Sequence, residues 1–266
     1  MRLNPAAVPA ILLAALLYWI GVELERRFVS RNSKAWHFIV SFLLALPGLL
    51  FALYYTHLFD NAAWFYRFRV LPYSELTISG SGLLAGILFS WFAPETFGER
   101  LVIPGVLLAL LTVPFVKPAL DPIDLGRLRD YCDSDVCMQS TFSTCGPSSS
   151  ATILNALGQE ASEKELAREC FTSRGGTEIW YIARAFERRG FNARIQVQQV
   201  EDLAPPSPAI AGVVLPGGAG HFIAILSQTD TDLTIGDPMK GKLVVKKTEL
   251  KDYYRFTGFF LAIERK

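Results

Sequence analysis

The chain has 266 residues, and its 26 Lys and Arg against 25 Asp and Glu give a formal net charge of +1 at pH 7. This balance, without a basic cluster that carries interleaved aromatic side chains, argues against a nucleic-acid partner. Hydrophobic residues make up 51% of the chain and are concentrated in long runs of its first half, which argues against a fully soluble protein.

Four apolar segments in the first half could each cross a bilayer, which requires about 20 mostly apolar residues. They cover residues 5–22, 36–56, 76–93 and 101–116. The third contains Gly80, Gly82 and Gly86, and such small residues allow helices to pack closely. We therefore predict an all-α transmembrane bundle of about four helices within residues 1–117.

The orientation of the bundle is predicted from the Lys and Arg residues of its short loops. The first loop holds four of them: Arg26, Arg27, Arg31 and Lys34. Only Arg2 precedes the first span, so this loop is expected in the cytoplasm, although Arg67 and Arg69 in the second loop oppose that orientation. With four spans, we expect a multi-pass protein of the plasma (inner) membrane whose partner is the lipid bilayer and whose C-terminal domain is extracytoplasmic.

The second loop is rich in aromatic side chains, with Trp64, Phe65, Tyr66 and Tyr73 close together. Such residues are enriched where a membrane meets water, so we expect an interfacial aromatic belt here. A surface that docks substrate is the alternative.

Two cysteines, Cys132 and Cys137, lie close together in residues 118–137, which we interpret as a linker. Their spacing favours a small disulfide loop, and a disulfide fits an extracytoplasmic domain. Two free thiols are an alternative. A zinc site is disfavoured because no histidine lies nearby, so we expect neither a metal nor a cofactor.

Cys145 directly precedes an apolar pattern that predicts a helix ending before Gly158. The free N–H groups and the positive dipole end of a helix N-terminus favour an anion, so a thiolate is stabilised there. Pro147 suits the first turn of such a helix. Cys145 is therefore the candidate nucleophile.

Residues 138–266 have the mixed composition of a soluble domain, with helices first and strands afterwards. Further helices are predicted at 162–171 and up to Gly190, and a short one at 248–254. Alternating or continuous apolar runs predict strands at 193–200, 209–215, 221–226, 233–235, 243–245 and 259–263. This order indicates an α+β domain.

A thiol nucleophile needs a base, a group that orients the base and a donor for the oxyanion. His221 is the sole histidine of this half and stands where a glycine-rich turn enters a strand. Asp237 ends the next strand, so a hairpin can bring its carboxylate beside His221. Gln139 precedes Cys145 by six residues and offers a side-chain N–H to an oxyanion, together with the Cys145 backbone N–H.

This order of motifs resembles the bacteriocin-processing, double-glycine-leader peptidases of the papain-like clan. That family has a Gln six residues before a Cys-Gly, a His-Phe that opens a strand and an Asp-Pro after the next strand. Here these are Gln139, Cys145-Gly146, His221-Phe222 and Asp237-Pro238, and the similarity extends over residues 138–264. Two positions depart from the family, which has Asp where Thr144 stands and a small residue where Pro147 stands.

The resemblance implies a papain-like cysteine peptidase that cuts a peptide, leader or protein precursor after a small-residue pair such as Gly-Gly. Gly217, Gly218 and Gly220 would then line a narrow substrate cleft. Well-known family members are fused to ABC exporters, but this sequence contains no Gly-x-x-x-x-Gly-Lys-Ser/Thr phosphate loop, so we expect a stand-alone, membrane-anchored form.

Two other functions remain open at this point. A papain-like domain could bind peptides without cleaving them, with the membrane bundle as the working part. Alternatively, the same thioester could transfer its acyl group to an amine instead of to water. The sequence predicts no oligomeric state.

Overall fold

A computed structural model describes residues 4–27, 31–56, 58–92 and 96–266. The predicted end of the third span at Ala93 and the positive charge of Arg2 lie outside these residues. The helices, in chain order, are α1 (Ala7–Arg27), α2 (Arg31–Leu53), α3 (Ala63–Val70), α4 (Gly80–Phe92), α5 (Phe97–Leu120), α6 (Cys145–Ala156), α7 (Glu163–Glu169), α8 (Ile179–Arg188) and α9 (Leu250–Tyr253). The strands are β1 (Cys132–Asp133), β2 (Val136–Cys137), β3 (Phe191–Val197), β4 (Ala209–Val214), β5 (Gly220–Gln228), β6 (Asp232–Asp237), β7 (Gly241–Lys246) and β8 (Arg255–Arg265).

These elements form two compact units. The described parts of Leu3–Asp60 and Pro72–Lys117 make up the first, which we call the helical unit. Asn61–Leu71 and Pro118–Lys266 belong to the second, which we call the sheet unit. The short helix α3 therefore belongs to the sheet unit, although it lies between segments of the helical unit in the chain.

The helical unit contains three helical segments that are long and apolar enough to cross a membrane, judged by length and composition within the described residues. They are Ala7–Arg27, Lys34–Leu53 and Ser74–Phe92, the last of which begins with a 3₁₀ turn ahead of α4. These segments agree with the first three predicted spans. The predicted fourth span, 101–116, falls within α5 and stays a prediction.

Glycines allow α4 to approach α1 very closely. A Cβ atom at Gly82 would overlap the carbonyl oxygen of Ala14, and one at Gly86 would overlap the carbonyl oxygen of Tyr18. Because a side chain at either position would push the two backbones apart, these glycines set the helix spacing. The small residues of the predicted third span thus do pack a helix interface.

The sheet unit contains a six-stranded antiparallel sheet in the order β3-β8-β4-β5-β6-β7. Alternate residues of its central strands face one buried apolar cluster, as the two-residue period of a strand requires. The cluster includes Ala211, Val213, Ile223, Ile225, Leu233, Ile235, Val245, Leu250, Tyr254, Phe256 and Phe260. The predicted α+β class of the C-terminal domain is confirmed.

Several predicted boundaries differ from the structure. Helix α7 ends at Glu169 instead of residue 171, because Phe171 has a positive φ of 52° that a helix cannot contain. Strand β8 runs over Arg255–Arg265, longer than the predicted 259–263, because it pairs with both β3 and β4.

Helix α3 packs inside the sheet unit, against its other elements. The prediction of an interfacial aromatic belt is therefore wrong for two of the four aromatic residues of this loop. Phe65 and Tyr66 are buried, and the Tyr66 ring meets the Phe259 ring edge-on at 5.0 Å. Trp64 and Tyr73 are exposed. The aromatic pattern of this loop is the same at a membrane interface and on a helix that packs against a sheet, so the sequence does not distinguish the two.

Arg184 of α8 binds the C-terminal end of α3. Its guanidinium donates to the carbonyl oxygens of Arg69 at 2.5 Å, Val70 at 3.1 Å and Leu71 at 3.0 Å. Carbonyl groups at the end of a helix need such donors from outside the helix, and a cation there also complements the helix dipole. Arg67 adds a hydrogen bond from α3 to the carbonyl oxygen of Ile195 in β3, at 3.2 Å.

Candidate active site

Cys145 is the first residue of α6 and is largely buried, with 8% of its surface exposed. The carbonyl oxygen of Thr144 accepts the backbone N–H of Ser148 at 3.0 Å, which closes the first turn. The backbone N–H of Cys145 itself therefore belongs to the unpaired N-terminal set of the helix. A thiolate at this position meets the positive end of the helix dipole, as predicted from the sequence.

Two features hold α6 against β5, the strand whose second residue is His221. The hydroxyl of Ser149 donates to the carbonyl oxygen of Phe222 at 3.0 Å. Gly146 makes room for this contact, because a Cβ atom there would lie 2.7 Å from Cδ1 of Ile182 and 3.5 Å from Cδ2 of Phe222. The helix that carries the thiol and the strand that carries the histidine are thus fixed relative to each other.

His221 and Asp237 form a buried pair. Strand β5 starts where its antiparallel neighbour β6 ends, and this brings Nε2 of His221 to 3.0 Å from Oδ1 of Asp237. The two residues are 4% and 0% exposed. Because Nε2 is occupied by the carboxylate, Nδ1 is the ring nitrogen that is left to interact with the Cys145 thiol.

The electrostatics of this pair favour an imidazolium beside a carboxylate. Burial disfavours the charged ring, but hydrogen bonds to Asp237 and Cys145 outweigh it and raise the pKa of His221 to about 9. Burial also opposes the charge of Asp237, yet hydrogen bonds from His221, the Met239 backbone and Tyr254 lower the pKa of its carboxyl below the usual value. The histidine can therefore hold a proton near neutral pH.

Gln139 lies on the loop before α6 and is tied to the segment that follows Asp237. Its backbone N–H donates to the carbonyl oxygen of Pro238 at 2.9 Å, which ties it to the residue after Asp237. Its side-chain Nε2 donates to the carbonyl oxygen of Thr141 at 3.0 Å. Since an amide nitrogen carries two hydrogens, the second N–H remains to donate to a substrate oxygen.

Thr144 completes this loop. Its hydroxyl donates to the carbonyl oxygen of Thr141 at 3.0 Å and accepts the Thr141 backbone N–H at 3.2 Å. It makes no capping hydrogen bond to α6. Thr144 thus shapes the turn that holds the Gln139 side chain.

Sequence reasoning missed three residues that support the site. Ser149 joins α6 to β5. The buried carboxylate of Glu163 accepts the backbone N–H of Ser140 at 2.7 Å and its hydroxyl at 2.5 Å, next to Gln139. Tyr254 donates its hydroxyl to Oδ2 of Asp237 at 2.7 Å. No motif marks these positions, because each acts through a contact between segments that are far apart in sequence.

The other sequence-predicted residues lie around this centre. Gly217 and Gly218 form the turn between β4 and β5 with positive φ values of 97° and 90°, and Gly220 is the exposed first residue of β5. Cys132 and Cys137 are joined in a disulfide that closes the β1–β2 hairpin just ahead of Gln139.

Cys170 is a free thiol that the proposed chemistry does not use. It is fully buried at the end of α7, and burial raises the pKa of its thiol well above the usual value. A thiol that stays protonated is a poor nucleophile, so Cys170 is a suitable control for Cys145.

Comparison with known proteins identifies relatives of the sheet unit. An uncharacterised protein of Methanothermobacter marburgensis is 32% identical over 133 residues, which cover 50% of this chain and 90% of the relative. The lactococcin-G-processing and transport ATP-binding protein LagD of Lactococcus lactis is 28% identical over 131 residues, which cover 47% of this chain but 18% of LagD. Among solved structures, a double-glycine-motif protease from an AMS/PCAT transporter, in complex with its leader peptide, is 24% identical. That alignment covers 53% of this chain and 96% of the protease, with a TM-score of 0.43.

The model of the Peptidase C39 family matches residues 133–266, which is half of the chain and includes Gln139, Cys145, His221 and Asp237. The chain therefore belongs to the Peptidase C39 family and is a cysteine peptidase.

Proposed function

We propose that this cysteine peptidase cleaves a peptide, leader or protein precursor with Cys145 as nucleophile, His221 as base and acid, Asp237 as the group that orients His221, and Gln139 as oxyanion donor. The observation that supports the assignment best is the buried 3.0 Å contact between His221 and Asp237. A binding module without catalysis has no use for a buried histidine–carboxylate pair whose histidine also interacts with a thiol.

In the proposed reaction, His221 takes the proton of the Cys145 thiol, and the thiolate sulfur bonds to the carbonyl carbon of the scissile peptide as the carbonyl π electrons move to oxygen. The oxyanion that forms accepts the free N–H of Gln139 and the backbone N–H of Cys145. The C–N bond then breaks as His221 gives its proton to the leaving amine, which leaves a thioester. His221 next takes a proton from a water molecule that attacks the thioester, and the acid product departs with the thiol restored.

A small-residue pair such as Gly-Gly is the proposed cleavage signal. The resemblance to the double-glycine-leader peptidases suggests this specificity. The relative LagD is named as a lactococcin-G-processing protein. Gly217 and Gly218, at the turn before His221, lack side chains that would obstruct an extended peptide backbone.

The test uses the full-length chain in detergent with a peptide set whose members differ at the Gly-Gly pair. Cys145→Ala should abolish cleavage, and Cys170→Ala should retain it. A thiol-directed peptidase inhibitor should label Cys145 and spare Cys170. Product masses separate hydrolysis from acyl transfer, because an acyltransferase would yield the amine adduct. Undiminished cleavage by Cys145→Ala would refute the proposal, and the absence of both inhibitor labelling at Cys145 and cleavage of any peptide would favour the non-cleaving binder.

We also propose that the protein crosses the plasma (inner) membrane four times, with the sheet unit outside the cytoplasm. Helix α3 belongs to the sheet unit and is bound by Arg184, which supports an even number of crossings between Leu71 and Pro118. Since Ser74–Phe92 is one candidate crossing, α5 supplies the second. The positive first loop then faces the cytoplasm.

Single cysteines introduced in a Cys145→Ala background test this topology with a membrane-impermeant maleimide on intact cells. Asn61→Cys and Asp230→Cys, both at exposed positions of the sheet unit, should be labelled alike, and Lys34→Cys in the first loop should be protected. Labelling of Asn61→Cys without Asp230→Cys would refute the paired crossing of α4 and α5. Labelling of Lys34→Cys alone would show that the protein has the opposite orientation, with the sheet unit in the cytoplasm.

A further inference from the structure

The Asp237 carboxylate is held by three hydrogen-bond donors. Oδ1 accepts from Nε2 of His221 at 3.0 Å and from the backbone N–H of Met239 at 2.9 Å. Oδ2 accepts from the hydroxyl of Tyr254 at 2.7 Å. Since a carboxylate can rotate about its Cβ–Cγ bond, the donor on Oδ2 helps the Met239 backbone to keep Oδ1 aimed at the histidine.

Tyr254 is itself firmly fixed. It follows α9 and leads into β8, and its backbone N–H donates to the carbonyl oxygen of Leu250 at 3.0 Å. Its ring is 5% exposed and packs in the apolar cluster beside Phe256, and the ammonium of Lys240 lies 4.7 Å from the ring centre. The hydroxyl therefore points at Asp237 from a rigid frame.

The Tyr254 hydroxyl is also a permanent donor. Burial and the hydrogen bond to Asp237 raise the pKa of Tyr254 well above its usual value. It therefore stays protonated at any pH at which the enzyme works. In return, the donated hydrogen bond helps to keep the buried carboxyl of Asp237 ionised.

We propose that Tyr254 is a positioning residue of the active site, which holds Asp237 so that the carboxylate orients His221 toward Cys145. The inference rests on the proposed function of those three residues. Tyr254 does not touch the reacting atoms, so its effect reaches the chemistry through Asp237 alone.

The test compares Tyr254→Phe with Tyr253→Phe in the full-length chain. Phe keeps the ring and its packing and removes the hydroxyl, whereas Tyr253 is 51% exposed and serves as the matched control. Tyr254→Phe should lower kcat about tenfold or more, the usual effect of losing a hydrogen bond to a charged group, with little change in KM. Tyr253→Phe should behave as wild type.

The pH dependence of activity distinguishes a positioning role of Tyr254 from a merely structural one, because a loss of stability alone would not shift it. Without the Tyr254 hydroxyl, the pKa of the Asp237 carboxyl rises, so its protonation begins at a higher pH. The acidic limb of kcat/KM should therefore move to higher pH in Tyr254→Phe. Rates are normalised to the amount of Cys145 that reacts with inhibitor, which corrects for any unfolded fraction.

A second measurement places Tyr254→Phe in an Asp237→Asn background. If Tyr254 acts through Asp237, the added substitution should change kcat by less than twofold. A tenfold loss that persists in that background would overturn the inference, as would a wild-type kcat and pH profile in Tyr254→Phe alone. Retained cleavage by Cys145→Ala would instead refute the proposed function, so the two failures are distinguishable.

Discussion

The hydroxyl of Ser149 donates to the carbonyl oxygen of Phe222, the residue after His221, at 3.0 Å. This single hydrogen bond joins the first turns of α6 to the start of β5. The distance between the proposed nucleophile and its base therefore depends on a side chain that takes no part in the reaction. Small displacements at such a junction are costly, because attack requires closely aligned atoms.

Ser149→Ala should lower the free energy of unfolding by about 1 kcal/mol, the net value of a typical hydrogen bond, and should lower kcat severalfold. Ser150→Ala is the matched control, because the Ser150 hydroxyl bonds to the Gly146 carbonyl oxygen within α6 at 2.7 Å. Chemical denaturation and peptide cleavage of both variants check this. Equal losses of kcat in the two variants would show that the junction has no special effect on catalysis.

Arg184→Met should destabilise the sheet unit and release α3. The substitution leaves the carbonyl oxygens of Arg69, Val70 and Leu71 without their shared donor, which should cost about 3 kcal/mol in unfolding free energy. Limited proteolysis should then cut within residues 61–71 faster than in wild type. Arg188→Met, on the same helix but half exposed and paired with Glu169, should have a small effect. Unchanged proteolysis of Arg184→Met would contradict this role.

The sequence predicted the Gln-Cys-His-Asp order because those residues lie at places where helices and strands begin or end, and such places leave a local pattern. It also indicated the α+β class and four apolar spans, the first three of which agree with the structure. It could not predict that α3 packs on the sheet unit, because Tyr66 and Arg67 look the same in a membrane-interface loop as on a protein surface. Tyr254 and Glu163 were missed for a related reason, since a buried hydrogen bond between distant segments has no sequence period.

The activity of the enzyme should fall as the pH rises above about 9. The pKa of His221 is raised from its usual 6.5 to about 9, so the imidazolium that protonates the leaving amine is lost through that range. Because the folded-state pKa is the higher one, the protonated ring also stabilises the fold fully below pH 6.5, and this stabilisation is lost between 6.5 and about 9.

The measurement is kcat/KM against pH, with Asp237→Asn as the comparison. The hydrogen bond and charge of Asp237 help to raise the pKa of His221, so the basic limb of this variant should move to lower pH. If the basic limb lies at the same pH in wild type and variant, it reflects the titration of a group other than His221.

Glu25→Ala should destabilise the helical unit more than Glu23→Ala. The Glu25 carboxylate is 4% exposed and lies 2.6 Å from Nδ1 of His37, and it accepts from Nε1 of Trp91 at 2.7 Å, so it links α1, α2 and α4. Its loss removes a hydrogen bond to a charged carboxylate from each of these two partly buried rings, at about 1.5–3 kcal/mol each. Glu23 pairs with the exposed Arg26 and Arg27, where ion pairs contribute little. Thermal unfolding of the full-length chain in detergent compares the two variants, and equal midpoints would show that the Glu25 cluster does not hold the bundle together.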